Sequence, residues 1–261
     1  MTLTRLLATG LVAIGVQASA QVPVPEPGPS VVISNLAYTA WSSATIAAAG
    51  RAEGSIVISN LSTATRGGIV ISNISVTYTG EVGPATQVGG LHGASGINYW
   101  EPSTPFLSRA ISNAPPISDI ITLVGGIGET SLITFSEPVL DPILLIVSLG
   151  RVDVEVRYIF DQPFEILSQG PGYWGDGLLS RAEGNVLVGY EGHGAIQFSG
   201  PVSSISWTVP DAESWHGFTI GIPFVPSPAG VPEGAPGPWL PLIATLTFIG
   251  WAARTRPRSK P

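Results

Sequence analysis

The 261-residue chain contains no cysteine. Disulfide frameworks and thiolate metal sites are therefore excluded, and the fold must be held by packing and hydrogen bonds alone. Lysine occurs once, at Lys260. Histidine occurs three times, at His92, His193 and His216, and none stands in a His-Glu-x-x-His zinc pattern. There is no Gly-x-Ser-x-Gly elbow and no phosphate-binding glycine loop ending in Lys-Ser/Thr. Helical periodicity is almost missing between residues 30 and 225. A parallel α/β fold, whose crossovers need helical stretches of ~10–15 residues, is therefore not expected.

Positive charge is scarce where a nucleic-acid partner would need it. From Gln21 to Gly230 the chain carries six arginines (51, 66, 109, 151, 157, 181) against 17 acidic residues, a net charge of −11. No nucleic-acid partner is expected of such a body, because phosphate recognition requires a basic footprint.

What the chain does have is period-two alternation. "RVDVEVRYIF" (151–160) places Val152, Val154, Val156, Tyr158 and Phe160 on one face and Asp153, Glu155 and Arg157 on the other, the pattern of a half-buried strand. "VSSISWTVP" aligns Ile205, Trp207 and Val209, and "SWHGFTIGIPF" aligns Trp215, Phe218, Ile220 and Ile222, with Gly217 shifting the phase as a bulge would. This reading turns Trp215 and Phe218 inward and leaves His216 pointing outward or ending a strand. "TSLITFSEPV" and "PILLIVSLG" are apolar runs joined by residues 137–142, where Pro138 and Pro142 are expected to stop the ladder and mark a turn. Val-Ile-Ser-Asn-Leu/Ile recurs near residues 32, 57 and 70, at unequal spacing, which reads as three similar strands ending in Asn-containing turns. About a dozen short runs separated by Gly, Pro, Asn or Asp predict an all-β fold, a β-sandwich or barrel, and the expectation taken forward is a jelly-roll-like β-sandwich.

The densest unusual stretch is "SQGPGYWGDGLLSRAEGNVLVGYEGHG" (168–194), with eight glycines. Glycine at this density predicts loops rather than strand interiors. Tyr173 and Trp174 read as exposed rings beside Asp176, Glu191 and His193. Aromatic rings beside polar groups can stack on the apolar face of a pyranose, making these five residues the candidate ligand contacts. Asp176, with nearby carbonyls, is also a candidate calcium contact, the one cofactor the sequence suggests. The same residues fit a purely structural role, with Trp174 capping the end of a sandwich and Asp176-Gly177 forming a hairpin turn. No catalytic residues stand out and the expectation is a non-enzyme. A secreted hydrolase would need two carboxylates facing across a cleft.

The two ends have their own grammar. Arg5, an apolar run from Leu6 to Val16 and Ala18-Ser19-Ala20 lay out a secretory signal peptide cleaved before Gln21. At the other end, Trp239 to Ala253 is apolar and follows a Pro/Gly-rich spacer. As a helix it would be about 22 Å long, so it spans a hydrocarbon core of ~30 Å only with help from its flanks. Trp239 and Trp251 suit the two membrane interfaces, and Arg254 and Arg256 begin a basic tip that would stay cytoplasmic.

This order of signal peptide, β-domain, Val231-Pro232-Glu233, short apolar helix and basic terminus resembles the bacterial PEP-CTERM proteins. Gly234 stands where that family's tail has a second proline. The stretches at 133–150, "GPGYWGDG" and "ESWHGFTIG" resemble the uncharacterised β-sandwich ectodomains that often precede such tails. The resemblance implies a sorting signal at Val231, Pro232 and Glu233, read by an exosortase-type enzyme of the inner membrane. It also implies a Gram-negative, exopolysaccharide-forming setting at the cell surface or outside the cell. The chain then divides into a signal peptide (1–20), a Pro-rich leader (21–30), a β-sandwich ectodomain (31–225), a spacer with the sorting motif (226–237), a transmembrane helix (238–253) and a basic tail (254–261). The expected role is a structural or adhesive component of the exopolysaccharide matrix. The alternatives are a carbohydrate-binding module and, behind it, a secreted hydrolase.

Overall fold

The computed structural model describes residues 35–61, 69–90 and 96–224. The signal peptide, leader, sorting motif, transmembrane helix and basic tail expected from the sequence lie outside these residues. Among the described residues no helix is long and apolar enough to cross a membrane.

The regular secondary structure of the described residues is nearly all strand. In order it forms β1 (Asn35–Tyr38), β2 (Ala40–Thr45), β3 (Ala47–Leu61), β4 (Ile69–Val82), a 3₁₀ turn (Thr104–Phe106), β5 (Ile121–Leu123), β6 (Thr130–Leu140) and β7 (Ile143–Leu149). It continues with β8 (Val156–Phe160), β9 (Glu165–Gln169), β10 (Leu179–Ala182), β11 (Val186–Gly189), β12 (Gly192–Gln197), β13 (Pro201–Thr208) and β14 (His216–Phe224). These make two antiparallel sheets, consistent with the expected sandwich. One runs β1-β14-β7-β12-β9, with β5 also on β14; the other runs β10-β11-β8-β13-β6-β4-β3-β2.

The alternation read from the sequence is what lets the sheets share a core. Ile205, Trp207 and Val209 enter it from β13 and the residue just past it, with Tyr158 and Phe160 from β8 and Phe218, Ile220 and Ile222 from β14. Rings meet edge to face there: Trp207 and Phe218 lie 5.1 Å apart and Phe160 and Phe198 5.2 Å apart, which adds to plain area burial. The smaller sheet is apolar on both sides. Leu144, Ile146 and Leu149 of β7 join the shared core, whereas Ile143, Leu145 and Val147 join a second cluster with Tyr99, Trp100, Phe106 and Ile111. A strand covered on both faces has no wet side, so β7 is apolar from Ile143 to Val147, with Ser148 next before Leu149.

Several local expectations are corrected. The strand expected from Arg151 starts only at Val156: Arg151 and Val154 exchange backbone hydrogen bonds across a tight turn, and Val152 is 76% exposed. Pro138 does not end β6, which continues to Leu140 through a bulge opposite Val202–Ser204 that accommodates the missing donor. The turn comes at Asp141, whose φ is 50°. Asn60 and Asn73 lie inside β3 and β4 rather than in turns. Gly189, Gly192 and Gly194 are strand residues: a Cβ on Gly189 would meet the Leu149 carbonyl at 2.3 Å, so close packing selects glycine there. His216 is buried at the start of β14 and does not point outward.

Candidate functional site

Besides the loop 170–178 between β9 and β10, three connections cross from one sheet to the other at one place in the molecule: 150–155 after β7, Tyr190-Glu191 after β11, and 209–215 after β13. The loop 170–178, between β9 and β10, is sewn onto the second of these. Tyr190 N–H donates to the Leu178 carbonyl, Leu179 N–H donates to Gln169 Oε1 at 2.7 Å, and Gly177 bridges Gly192. Gly177 is therefore clamped against the neighbouring crossing and is no hairpin turn.

The convergence leaves a depression of about 270 Å³ lined by Ser148, Arg151, Trp174, Glu191, Glu213, Ser214 and Trp215. Two of its lining residues hold left-handed backbone without being glycine, Ser148 at φ 57° and Glu191 at φ 62°. Such conformations persist only where surrounding structure over-determines them, and they concentrate at binding sites.

The rim is aromatic. Tyr173 is 38% exposed and Trp174 48% exposed, as the sequence suggested. Neither ring stands alone. Tyr99 meets Tyr173 at 5.3 Å and Trp215 at 4.8 Å, Tyr173 meets Trp174 at 4.9 Å, and Trp174 meets Trp215 at 5.9 Å. The four contacts close a cycle of edge-on rings, so the exposed pair is braced from behind. Trp215, expected inside, is half-buried in this cycle, whereas Phe218 is fully buried as expected.

Beneath the rim the polar groups are tightly held. The Glu213 side chain is 1% exposed, and its Oε1 accepts from Gly150 N–H at 2.8 Å and lies 2.7 Å from His216 Nδ1. Its Oε2 has no hydrogen-bond partner in the protein. The Arg157 guanidinium grips Asp211 through two bonds of 2.8 Å, fixing the 209–215 crossing to β8. Those bonds raise the Arg157 pKa and hold the Asp211 carboxyl below its usual range.

The candidate residues from the sequence divide. Tyr173, Trp174 and Glu191 gather at the depression or its rim. Asp176 is exposed on the same loop but does not line the depression. Among the described residues no group of three or more histidine, aspartate or glutamate side chains is placed to hold a metal ion. His193 is not at the surface. It is fully buried, and its Nδ1 accepts from Ser148 N–H at 3.2 Å. Burial pushes its pKa down to about 4. It supports the site from below and is unavailable as a direct ligand contact.

Comparison with family models, curated proteins and solved structures finds no match.

Sequence reading missed Tyr99, Ser148, Arg151, Glu213 and Ser214. Tyr99 had a signal: "YW" occurs at 99–100 as it does at 173–174, and the two doublets meet in space through Tyr99 and Tyr173. The other four carry no local signal and reach the depression only through the sheet crossings.

Proposed function

We propose that this chain is an exported, surface-sorted, non-enzymatic component of a Gram-negative extracellular matrix that adheres to exopolysaccharide through the depression beside Trp174. One observation carries the reading: two exposed rings, Tyr173 and Trp174, are braced against Tyr99 and Trp215 at the rim of a depression that also offers carboxylate, guanidinium and hydroxyl groups. A pyranose presents an apolar face to stack on Trp174 and hydroxyls for Glu191 and Arg151 to bind. The volume falls at the small end of ligand pockets, which suits one sugar unit of a longer chain better than a buried oligosaccharide.

The tail belongs to the same proposal. Val231, Pro232 and Glu233 would be the sorting motif for an exosortase-type enzyme, with Trp239, Trp251, Arg254 and Arg256 placing the helix in the membrane until processing. The jelly-roll description of the sandwich is likewise proposed, supported by the many neighbours within each sheet that are not consecutive in sequence.

The test is pulldown of the purified ectodomain on exopolysaccharide, with a glycan array to find the sugar. Wild-type protein binds, and Trp174→Ala and Tyr173→Ala each weaken binding by about tenfold or more, the equivalent of ~1.4 kcal/mol. Full binding by both variants refutes the sugar site. A second reading, hydrolysis, is raised by Glu191 and Glu213 lining one depression. It is disfavoured because Glu213 is enclosed and one of its oxygens is committed to Gly150 and His216. Release of reducing sugar from the bound polysaccharide, lost in Glu191→Gln, would favour hydrolysis instead.

A further inference from the structure

The hairpin β3–β4 is longer than the sheet that holds it. Its two strands pair with each other from Ala47↔Val82 to Leu61↔Ile69. On the outer side of β3, β2 reaches only as far as Ser55. On the outer side of β4, β6 pairs only as far as Val76, with one further contact where Ser75 N–H donates to Ser136 Oγ at 3.0 Å. Among the described residues, no strand pairs with the outer edges of Ile56–Leu61 and Ile69–Ile74. At ~3.3 Å per residue, each open edge is about 20 Å long.

These edges lack the usual protections. Ile56–Leu61 reads IVISNL and Ile69–Ile74 reads IVISNI, with no charge, proline or glycine in either. Sheet edges normally carry such residues to block pairing with another chain. β6 does carry them, as Glu137 and Pro138, just past its last pairing with β4. Nothing comparable follows β2 along β3, because the chain before Ala40 leaves for the other sheet, where Thr39 N–H donates to the Ile220 carbonyl. Among the described residues, the β3 edge is the open one.

The hairpin also shows which partner fits. Ile56↔Ile74, Val57↔Asn73, Ile58↔Ser72 and onward to Leu61↔Ile69 are one hexapeptide paired antiparallel with a near-copy of itself. Short uncharged segments of this composition, rich in β-branched residues, favour self-pairing. A second copy of this chain supplies the same strand in the same register.

We propose that Ile56–Leu61 of β3 is a self-association edge, and that two copies of the chain join through it by antiparallel β-pairing about a two-fold axis. The contact is isologous, so it closes at two copies. Two depressions on one dimer would give a matrix protein two points of attachment, although the pairing itself does not depend on the sugar-binding reading.

The geometry supplies a selective disruption. Ser75 N–H points away from β3, so its opposite residue Ser55 also points its N–H outward, and by the antiparallel alternation Val57 and Ser59 do the same. Val57→Pro removes an outward donor and leaves every β3–β4 hydrogen bond in place. Sedimentation velocity on the chain lacking only its signal peptide and tail is expected to show a concentration-dependent dimer. Val57→Pro is expected to be monomeric with an unchanged circular dichroism spectrum, and Val57→Thr is expected to remain dimeric. Hydrogen exchange on the wild type gives a reading independent of any variant's folding, since the Val57 and Ser59 amides become protected as concentration rises. A wild type that stays monomeric at about 100 µM, well above a micromolar Kd, overturns the proposal. So does a dimer in which those two amides exchange freely, or open-ended filaments instead of a closed dimer.

Discussion

The His193 imidazole lies directly against Gly172: a Cβ on Gly172 would stand 2.3 Å from the ring's Cγ and Nδ1. The ring is fully enclosed and cannot swing away. The aromatic loop rests on this contact, since Gly172 N–H donates to the Gly175 carbonyl and so holds Tyr173 and Trp174 between two pinned glycines. Gly172→Ala is expected to lift the loop, lowering polysaccharide affinity by about tenfold while the two-sheet core still melts cooperatively. Unchanged affinity in that variant would show that the rim does not depend on His193.

Acid sensitivity should trace to the same histidine. An unfolded histidine titrates near 6.5, whereas burial holds His193 at about 4. The folded state favours the neutral ring, so the unfolded chain takes up the proton first as pH falls. Stability is fully present above about pH 6.5 and declines toward about pH 4, by about 3 kcal/mol. His193→Gln should flatten this limb in thermal melts between pH 4 and 8.

Asp119 should act with the opposite sign in the same window. Burial raises its pKa to about 6, and its Oδ1 accepts from Trp41 N–H at 3.0 Å. The folded state disfavours its ionised form, so stability rises as pH falls through 6 toward the unfolded value near 4. Asp119→Asn keeps an acceptor for Trp41 and removes this rise. The variant should be more stable than wild type at pH 7, with a steeper acid decline, as read by the same melts.

Glu213 is where stability and the depression meet. Glu213→Ala leaves Gly150 N–H and His216 without their acceptor in a buried setting. The expected loss is about 2–4 kcal/mol in urea unfolding, and Glu213→Gln, which retains one acceptor oxygen, should recover part of it. Equal stability of Ala and Gln variants would mean the Gly150 bond contributes nothing.

Mass spectrometry of the mature surface protein addresses the ends. Under the sorting proposal it is expected to begin at Gln21 and to lack the apolar run and basic tip that follow Glu233. An intact terminus at Pro261 would remove the sorting proposal while leaving the ectodomain readings untouched.

Local patterning alone made the all-β class readable. A strand with one covered face alternates, as β8 and most of β13 do, and a strand covered on both faces is largely apolar, as β7 is from Ile143 to Val147. Tyr173 and Trp174 were readable for a similar reason: large rings among glycines have no periodic partner and fall at loop tips. Tertiary structure decided the rest. Gly189, Gly192 and Gly194 look like loop residues until neighbouring backbones are seen pressing on them. Glu213 looks like a surface acid until Gly150 and His216 close around it. Ser148, Arg151, Glu191 and Trp215 have no spacing in common. They share a depression because four chain crossings between two packed sheets end at the same point, and that meeting is set by how the sheets stack, which no local run of residues encodes.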